Sequence, residues 1–408
     1  MESSRSTNKF SNYKKIIQTS NQDWESAKEG LTCELNAIIK SNNCFVDQYG
    51  RELQHFCTTS YLGLDYNQQI LDGAIEGILK AKTLRVANSK NRCKLDMLEQ
   101  YETALSTLFD SICLSTLSCS AASAGLLPLL ASGAFTKNVP PTMIFDRHSH
   151  YSMNYMKASC ADETEVITAP HNDIDFIEES CKKHKKVAYV ADGIYSMGGK
   201  ANIDGLIYLK SRYGLFLYLD DSHALSAFGE KGKGFIRPNF ETLDDQTLIV
   251  ASLGKSFGAS GGLVMFGTEK QKSLMHRYGG PSNWSQSLNS AAIGAGLASV
   301  KIHQTKELTL LQDKLLANIQ LFDRLIETAQ YGTSTAIRLV ACGEAQQANT
   351  IAAQLADSGF FTSAVFFPVV PRGRAAIRIT LRADMTHETI RLFCSRLLSL
   401  IEENKRAR

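Results

Sequence analysis

The sequence lacks the marks of an extracellular, membrane or nucleic-acid-binding protein. Its ten cysteines include no CxxC pair and no zinc-type spacing, which argues against a disulfide scaffold or metal module and fits reduced thiols. Neither sign of charge dominates: 44 Lys and Arg against 41 Asp and Glu leave a net charge of +3. A basic footprint for nucleic acid or a membrane surface is therefore missing. No uninterrupted apolar run approaches bilayer-spanning length. The polar start Met1-Glu-Ser-Ser-Arg-Ser-Thr-Asn8 has no apolar core of a signal peptide. The basic end Lys405-Arg-Ala-Arg408 reads as a solvated helix end. No internal repeat or low-complexity linker is present. These absences predict a soluble, cytoplasmic protein with no nucleic-acid partner, no membrane span and no metal.

What is present is alternation. Strand-like apolar runs at 114–118, 142–146, 165–168, 187–191, 215–220, 247–252 and 263–267 are separated by helical periodicity at 95–110, 121–132, 150–159, 172–183 and 203–213. That order predicts an α/β fold with right-handed crossovers and a mostly parallel sheet. From Asn289 to about Gln330 one long helical stretch is expected. Strands at 337–341, 364–368 and 376–381 and helices at 346–357 and 386–404 then predict a smaller α+β C-terminal domain. The start reads as an arm with a helix over 23–40 and a short strand. At 408 residues two domains are expected, with an arm at 1–65, a large domain at 66–300 and a small domain at 301–408.

Chemistry concentrates at strand ends. The buried-strand run Thr247-Leu-Ile-Val250 leads into Ala251-Ser-Leu-Gly-Lys-Ser-Phe-Gly-Ala-Ser-Gly-Gly262, where Lys255 stands alone among small residues. One strand earlier, Leu215-Phe-Leu-Tyr-Leu219 ends in Asp220-Asp-Ser-His223. A lysine after a strand is commonly a solvated loop residue, and an Asp there a helix cap. An acid at one strand end and a lysine at a later one, amid glycines, instead fit pyridoxal 5'-phosphate: a Schiff-base lysine, and a carboxylate that keeps the pyridine nitrogen protonated.

Read in order, these motifs resemble the α-oxoamine synthase family of fold-type I pyridoxal phosphate transferases. The resemblance runs from Tyr61-Leu-Gly-Leu64 to Ile377-Arg-Ile-Thr-Leu381. Its most specific pieces are Asp220-Asp-Ser-His223 followed by Phe228-Gly-Glu-Lys-Gly-Lys-Gly234, and the Lys255 segment. The glycine-rich piece lacks the Walker spacing, so it implies no nucleotide site. Members condense an amino acid with an acyl-CoA and lose carbon dioxide; they include 8-amino-7-oxononanoate synthase, 2-amino-3-ketobutyrate ligase, serine palmitoyltransferase and the α-hydroxyketone autoinducer synthases.

The resemblance implies catalytic roles for Lys255, Asp220, His223 and His150. Lys255 would carry the cofactor and move the substrate α-proton, and Asp220 would pair with the ring nitrogen. His223 and Ser196 would sit near the phenolic oxygen, with His150 stacked on the ring. Ser118, Cys119, Ser120 and Ser252 would serve the phosphate, with Cys119 at a position that is usually glycine in the family. Ser285 and Gln286, in Trp284-Ser-Gln-Ser-Leu288, match a segment that reaches the partner subunit's phosphate, which implies a homodimer with shared active sites. Arg378 would hold the substrate carboxylate through the bidentate geometry a guanidinium offers. Ser60 and Arg85 fall in segments near the substrates.

Two departures stand out. Arg85 to Glu99 lacks the glycine and the histidine that relatives usually carry, and Ser60 replaces an Asn or Asp. The autoinducer synthases share the first departure, so synthesis of a signal molecule or secondary metabolite from an amino acid and an acyl-CoA or acyl-carrier thioester is an expected role. Competing readings are an aminotransferase or lyase on the same fold, and a non-catalytic partner subunit. Retention of Lys255, Asp220 and His223 argues against the last.

Overall fold

The computed structural model describes Phe10 and residues 13–406; the polar first eight residues and the last two of the basic end lie outside the described residues. The chain divides into two compact units. One comprises Leu64–Ser196 and Lys200–Thr309 with Phe10; the other comprises residues 13–63, Met197–Gly199 and 310–406.

The first unit is built on a seven-stranded sheet. Its strands lie side by side in the order Ile112–Thr116, Gly262–Phe266, Thr247–Ser252, Phe216–Asp220, Val187–Asp192, Thr142–Asp146 and Val166–Ala169. Gly262–Phe266 runs antiparallel to both neighbours, and the pairings among the other five contiguous strands are parallel. The α/β, mostly parallel expectation holds, with one reversed strand.

The strands read as near-continuous apolar runs because both sheet faces are covered. Phe216, Tyr218, Leu248 and Val250 enter one buried cluster, while Leu217, Leu219, Ile249 and Ala251 enter the other. This alternation is the strand's period of two expressed in two cores. It fixes register, since a slip by one residue would exchange the two sets.

The helix Gln68–Ala81, not foreseen from the sequence, packs on Ser290–His303 through small residues. A Cβ on Gly73 would lie 2.8 Å from the Gly294 oxygen, and one on Gly77 would lie 2.2 Å from the Ser290 oxygen. Such close packing leaves Leu71, Ile75, Ile78 and Leu79 on the outer face, 41–69% exposed.

The second unit holds the three-stranded antiparallel sheet Ile337–Gly343, Ala375–Thr380 and Ser363–Val365, with the helices Ala345–Asp357 and His387–Arg406. It also contains the N-terminal segment, where the sequence expectation needs correction. The helix is Tyr13–Glu29, not 23–40, and Ala37–Ser41 is a strand paired with Cys44–Asp47. The β-branched pair Ile38-Ile39 favours extension, and Asn43 takes a left-handed φ of 62° at the turn. The expected single helix from 289 to 330 is two, Ser290–His303 and Lys306–Leu325. Thr305 breaks it: its hydroxyl accepts the Glu307 N–H at 3.2 Å and donates to the Ile302 carbonyl at 2.8 Å.

Candidate active site

Four adjacent parallel strands end in Asp146, Asp192, Asp220 and Ser252, so the topology gathers polar groups at one sheet edge. Ligands of open α/β sheets bind at the carboxyl ends of the strands. Asp192 and Asp220 are register partners and only 2% and 3% exposed. Burial foremost, and then the charge of Asp220, push the Asp192 carboxyl well above its usual range.

The sequence motifs converge here. Lys255 Nζ stands 3.0 Å from His223 Nε2. Asp220 Oδ1 accepts the Ser222 N–H at 2.9 Å, and its Oδ2 accepts from the Cys119 thiol at 3.4 Å. The Ser222 hydroxyl in turn accepts the Ser252 N–H at 2.9 Å, tying the aspartate turn to the strand that leads to the lysine. The lysine loop closes on itself: Leu253 N–H donates to the Gly261 carbonyl at 2.9 Å, and Gly258 N–H to the Lys255 carbonyl at 3.0 Å.

Ser118 caps the helix Cys119–Ala131, its hydroxyl accepting the Ala121 N–H at 3.1 Å. The N–H groups of Cys119 and Ser120 lie in the first turn, where no intrahelical acceptor exists, so they are available to an anion. The strand carrying Gly262 passes so close that a Cβ there would lie 2.4 Å from the Ser118 carbonyl carbon. Glycine is required at this crossing.

His150 caps the short helix Tyr151–Asn154. Its Nδ1 lies 2.9 Å from the Ser152 hydroxyl, and its N–H donates to Asp192 Oδ2 at 2.8 Å. Asp146 anchors the start of the same turn, accepting from His148 N–H, Asn172 N–H, His171 and the Tyr189 hydroxyl at 2.7–3.0 Å. Burial opposes the charge, but these donors win and hold its pKa down to about 2. Asp192, Asp146 and Ser222 were not singled out in the sequence; for the two aspartates, an acid ending the apolar run was the available signal.

The glycine-rich segment is structural. Asp221 Oδ2 accepts the Phe235 and Ile236 N–H groups at 2.8 and 3.0 Å, and a Cβ on Gly234 would lie 2.2 Å from the same oxygen. His303, 1% exposed, sits behind it. Its ring packs at a tilt against Phe257, centroids 4.8 Å apart, and Ser299 Oγ donates to the Phe257 carbonyl at 2.6 Å.

The other expected residues vary in exposure and in their recorded contacts. Ser196 is half-buried, and Ser120 and Gln286 are exposed. The Ser285 hydroxyl donates to the Pro281 carbonyl at 2.7 Å. Arg85 is exposed in the loop after Gln68–Ala81, where its carbonyl accepts from Thr83. Within the second unit, Ser60 and Arg378 are 5% and 7% exposed. Arg378 pairs with Leu339 and Ser363 in the sheet and lies beside Tyr61; burial lifts that phenol to about 12, against the opposing pull of the guanidinium.

The residues fit pyridoxal phosphate. A buried carboxylate, a lysine against a histidine and a donor-rich helix start correspond to its ring nitrogen, aldehyde, phenolic oxygen and phosphate. Among the described residues no cluster of metal ligands exists. The fold and this donor set define a fold-type I pyridoxal phosphate transferase.

Comparison with known proteins bears this out. The family model for aminotransferase class I and II matches residues 90–397. The chain is 28% identical over 369 residues to 8-amino-7-oxononanoate synthase of Geobacter sulfurreducens, covering 88% of this chain and 91% of that one. It is 29% identical over 392 residues to 2-amino-3-ketobutyrate coenzyme A ligase of Escherichia coli K12, covering 92% and 94%. Its fold matches a serine palmitoyltransferase of S. paucimobilis with a TM-score of 0.81 at 18% identity, over 94% of this chain and 98% of that one. The chain belongs to the aminotransferase class I and II family, on its α-oxoamine synthase branch, and is a pyridoxal-phosphate-dependent enzyme.

Proposed function

We propose that this enzyme condenses a small α-amino acid with an acyl thioester, releasing carbon dioxide and the free thiol and leaving an α-aminoketone. The observation that carries this reading is the Lys255–His223 contact at 3.0 Å, set beside the buried Asp220 at the carboxyl edge of the sheet. When bound, pyridoxal phosphate supplies an electron sink for charge developing at the amino acid's α-carbon.

The chain's own residues do the rest. Lys255 would hold the cofactor, and its amine would take and return the substrate's α-proton. His223 fixes the lysine amine by its hydrogen bond and, with Ser196, faces the phenolic oxygen. Asp220 keeps the ring nitrogen protonated, because a buried anion favours a cation beside it. His150, set by Asp192 and Ser152, covers the ring face. Ser118, Cys119, Ser120 and Ser252 hold the phosphate, chiefly through helix-start N–H groups. Arg378 binds the amino acid's carboxylate, and Ser60 and Arg85 border the substrates. The parts we assign are an arm at 1–65, a cofactor domain at 66–300 and a small domain at 301–408.

We further read the enzyme as a homodimer in which Ser285 and Gln286 reach the partner's phosphate. The apolar stripe of Leu71, Ile75, Ile78 and Leu79 supports a self-contact, since exposed contiguous apolar surface marks an interface. No described helix is long and apolar enough to cross a membrane, and a cytoplasmic site of action fits the ten free cysteines. The departures at Ser60 and between Arg85 and Glu99 support a product outside primary metabolism, such as a signal molecule. The test is a panel of amino acids against coenzyme A and acyl-carrier thioesters, read by thiol release. Release that needs both substrates and yields carbon dioxide supports the reading; amino transfer without a thioester overturns it.

A further inference from the structure

Cys119 and Asp220 lie 101 positions apart in the chain; Cys119 opens the helix that follows Ile112–Thr116, a strand separated from that of Asp220 by Gly262–Phe266 and Thr247–Ser252. The thiol reaches the aspartate because it opens a helix above the edge where the strand of Asp220 ends. The contact is made to Oδ2 at 3.4 Å, while Oδ1 is already engaged by the Ser222 N–H at 2.9 Å. Each oxygen of a carboxylate that is 3% exposed thus has its own donor. A thiolate there could not donate, but burial first and the Asp220 charge second push the Cys119 thiol well above its usual range, so it carries its proton at neutral pH. The other titratable groups facing this pair include Lys255, Asp192, Asp221 and the Tyr218 phenol.

We propose that Cys119 is a positioning residue for Asp220: its S–H fixes the carboxylate's rotation and engages the negative charge on Oδ2, so that the ring nitrogen of the cofactor would meet an oriented carboxylate with less charge left to give. This rests on the pyridoxal phosphate reading above. A donor on a carboxylate stabilises its charged form. Without that donor, more of the Asp220 charge is left to balance the ring cation, which would weaken the acidifying pull of the ring on the lysine-bound nitrogen. The visible absorption of the bound cofactor reports that nitrogen directly, whether or not the enzyme turns over.

The experiment is a pH titration of that absorption band in wild type, Cys119→Ala and Cys119→Ser, with the cofactor dissociation constant of each measured by absorbance. Alanine should move the midpoint upward by about half a pH unit, roughly a threefold change in proton affinity. Serine, a donor at nearly the same place, should hold it close to wild type. Uptake of cofactor by the serine variant alone would support the same conclusion. An unmoved midpoint in Cys119→Ala overturns the proposal; equal shifts in both variants, or loss of cofactor from both, also overturn it by showing that sulfur fills space instead of donating. A wild-type protein with no visible band would sink the cofactor reading itself, a different failure from any of these.

Discussion

His303 Nε2 lies 2.8 Å from the Ser226 hydroxyl, and its Nδ1 lies 2.8 Å from the Ser299 carbonyl. One buried imidazole therefore ties the turn after His223 to the helix that holds the lysine loop through Phe257. Ser226 needs such a tie, because it is held at a φ of 67°, which costs a non-glycine residue free energy.

His303 should confer acid sensitivity. Burial lowers its pKa from 6.5 to about 4, against a smaller opposing effect of the Ser299 carbonyl. Between those values the unfolded chain binds the extra proton, so stability is full above pH 6.5 and falls as pH drops toward 4. The difference is about 3 kcal/mol. His303→Asn should flatten the dependence of thermal midpoint on pH in that window; an unchanged slope would remove His303 from the account.

Lys255→Ala should abolish the visible band and turnover. His223 makes the observed contact to this amine, and no other lysine occupies the loop. Turnover retained by that variant, measured as thiol release, would sink the mechanism.

Asp220→Asn should keep the cofactor but lose activity by about a hundredfold or more, the scale of a lost preorganised charge contact. An amide cannot balance a ring cation. A normal rate in the asparagine variant would mean that another group meets the ring nitrogen.

Arg378→Ala should raise the amino acid KM roughly ten- to a hundredfold, from the loss of a charge-assisted pair of about 1.5–3 kcal/mol. The cofactor spectrum and the thioester KM should stay near wild type. Loss of cofactor instead would return Arg378 to a structural role in its strand.

Mixing Lys255→Ala chains with chains changed at Ser285 and Ser287 should restore part of the activity if sites are shared. Confirmed heterodimers without activity, from inactive parents, would count against sharing.

The sequence made the strand ends legible because both sheet faces are covered, so each strand is an uninterrupted apolar run with a polar terminus. Lys255, Asp220 and His223 could be read from such local signals. Asp192 and Ser222 gain meaning only from register and turn contacts, and the reach of Cys119 to Asp220 depends on sheet order, which no local pattern encodes. Ala37-Ile-Ile-Lys40 is apolar enough to read as the end of a helix, while the Asn42-Asn43 turn makes it one strand of a hairpin. The helix Gln68–Ala81 leaves little local signal in the sequence, because its apolar residues face outward and its packing face is glycine.

The reversed strand has a consequence for assembly. Because Gly262–Phe266 returns antiparallel beside Thr247–Ser252, the lysine loop at 253–261 is the tip of a local hairpin-like unit instead of a crossover. Contacts near in sequence form early, since little chain entropy opposes them. During synthesis the lysine loop can thus take shape once residues 247–266 have emerged, while Cys119 and Asp220 must be brought in from far upstream. The nucleophile's cradle is local in origin, and its electrostatic setting arrives with the completed sheet.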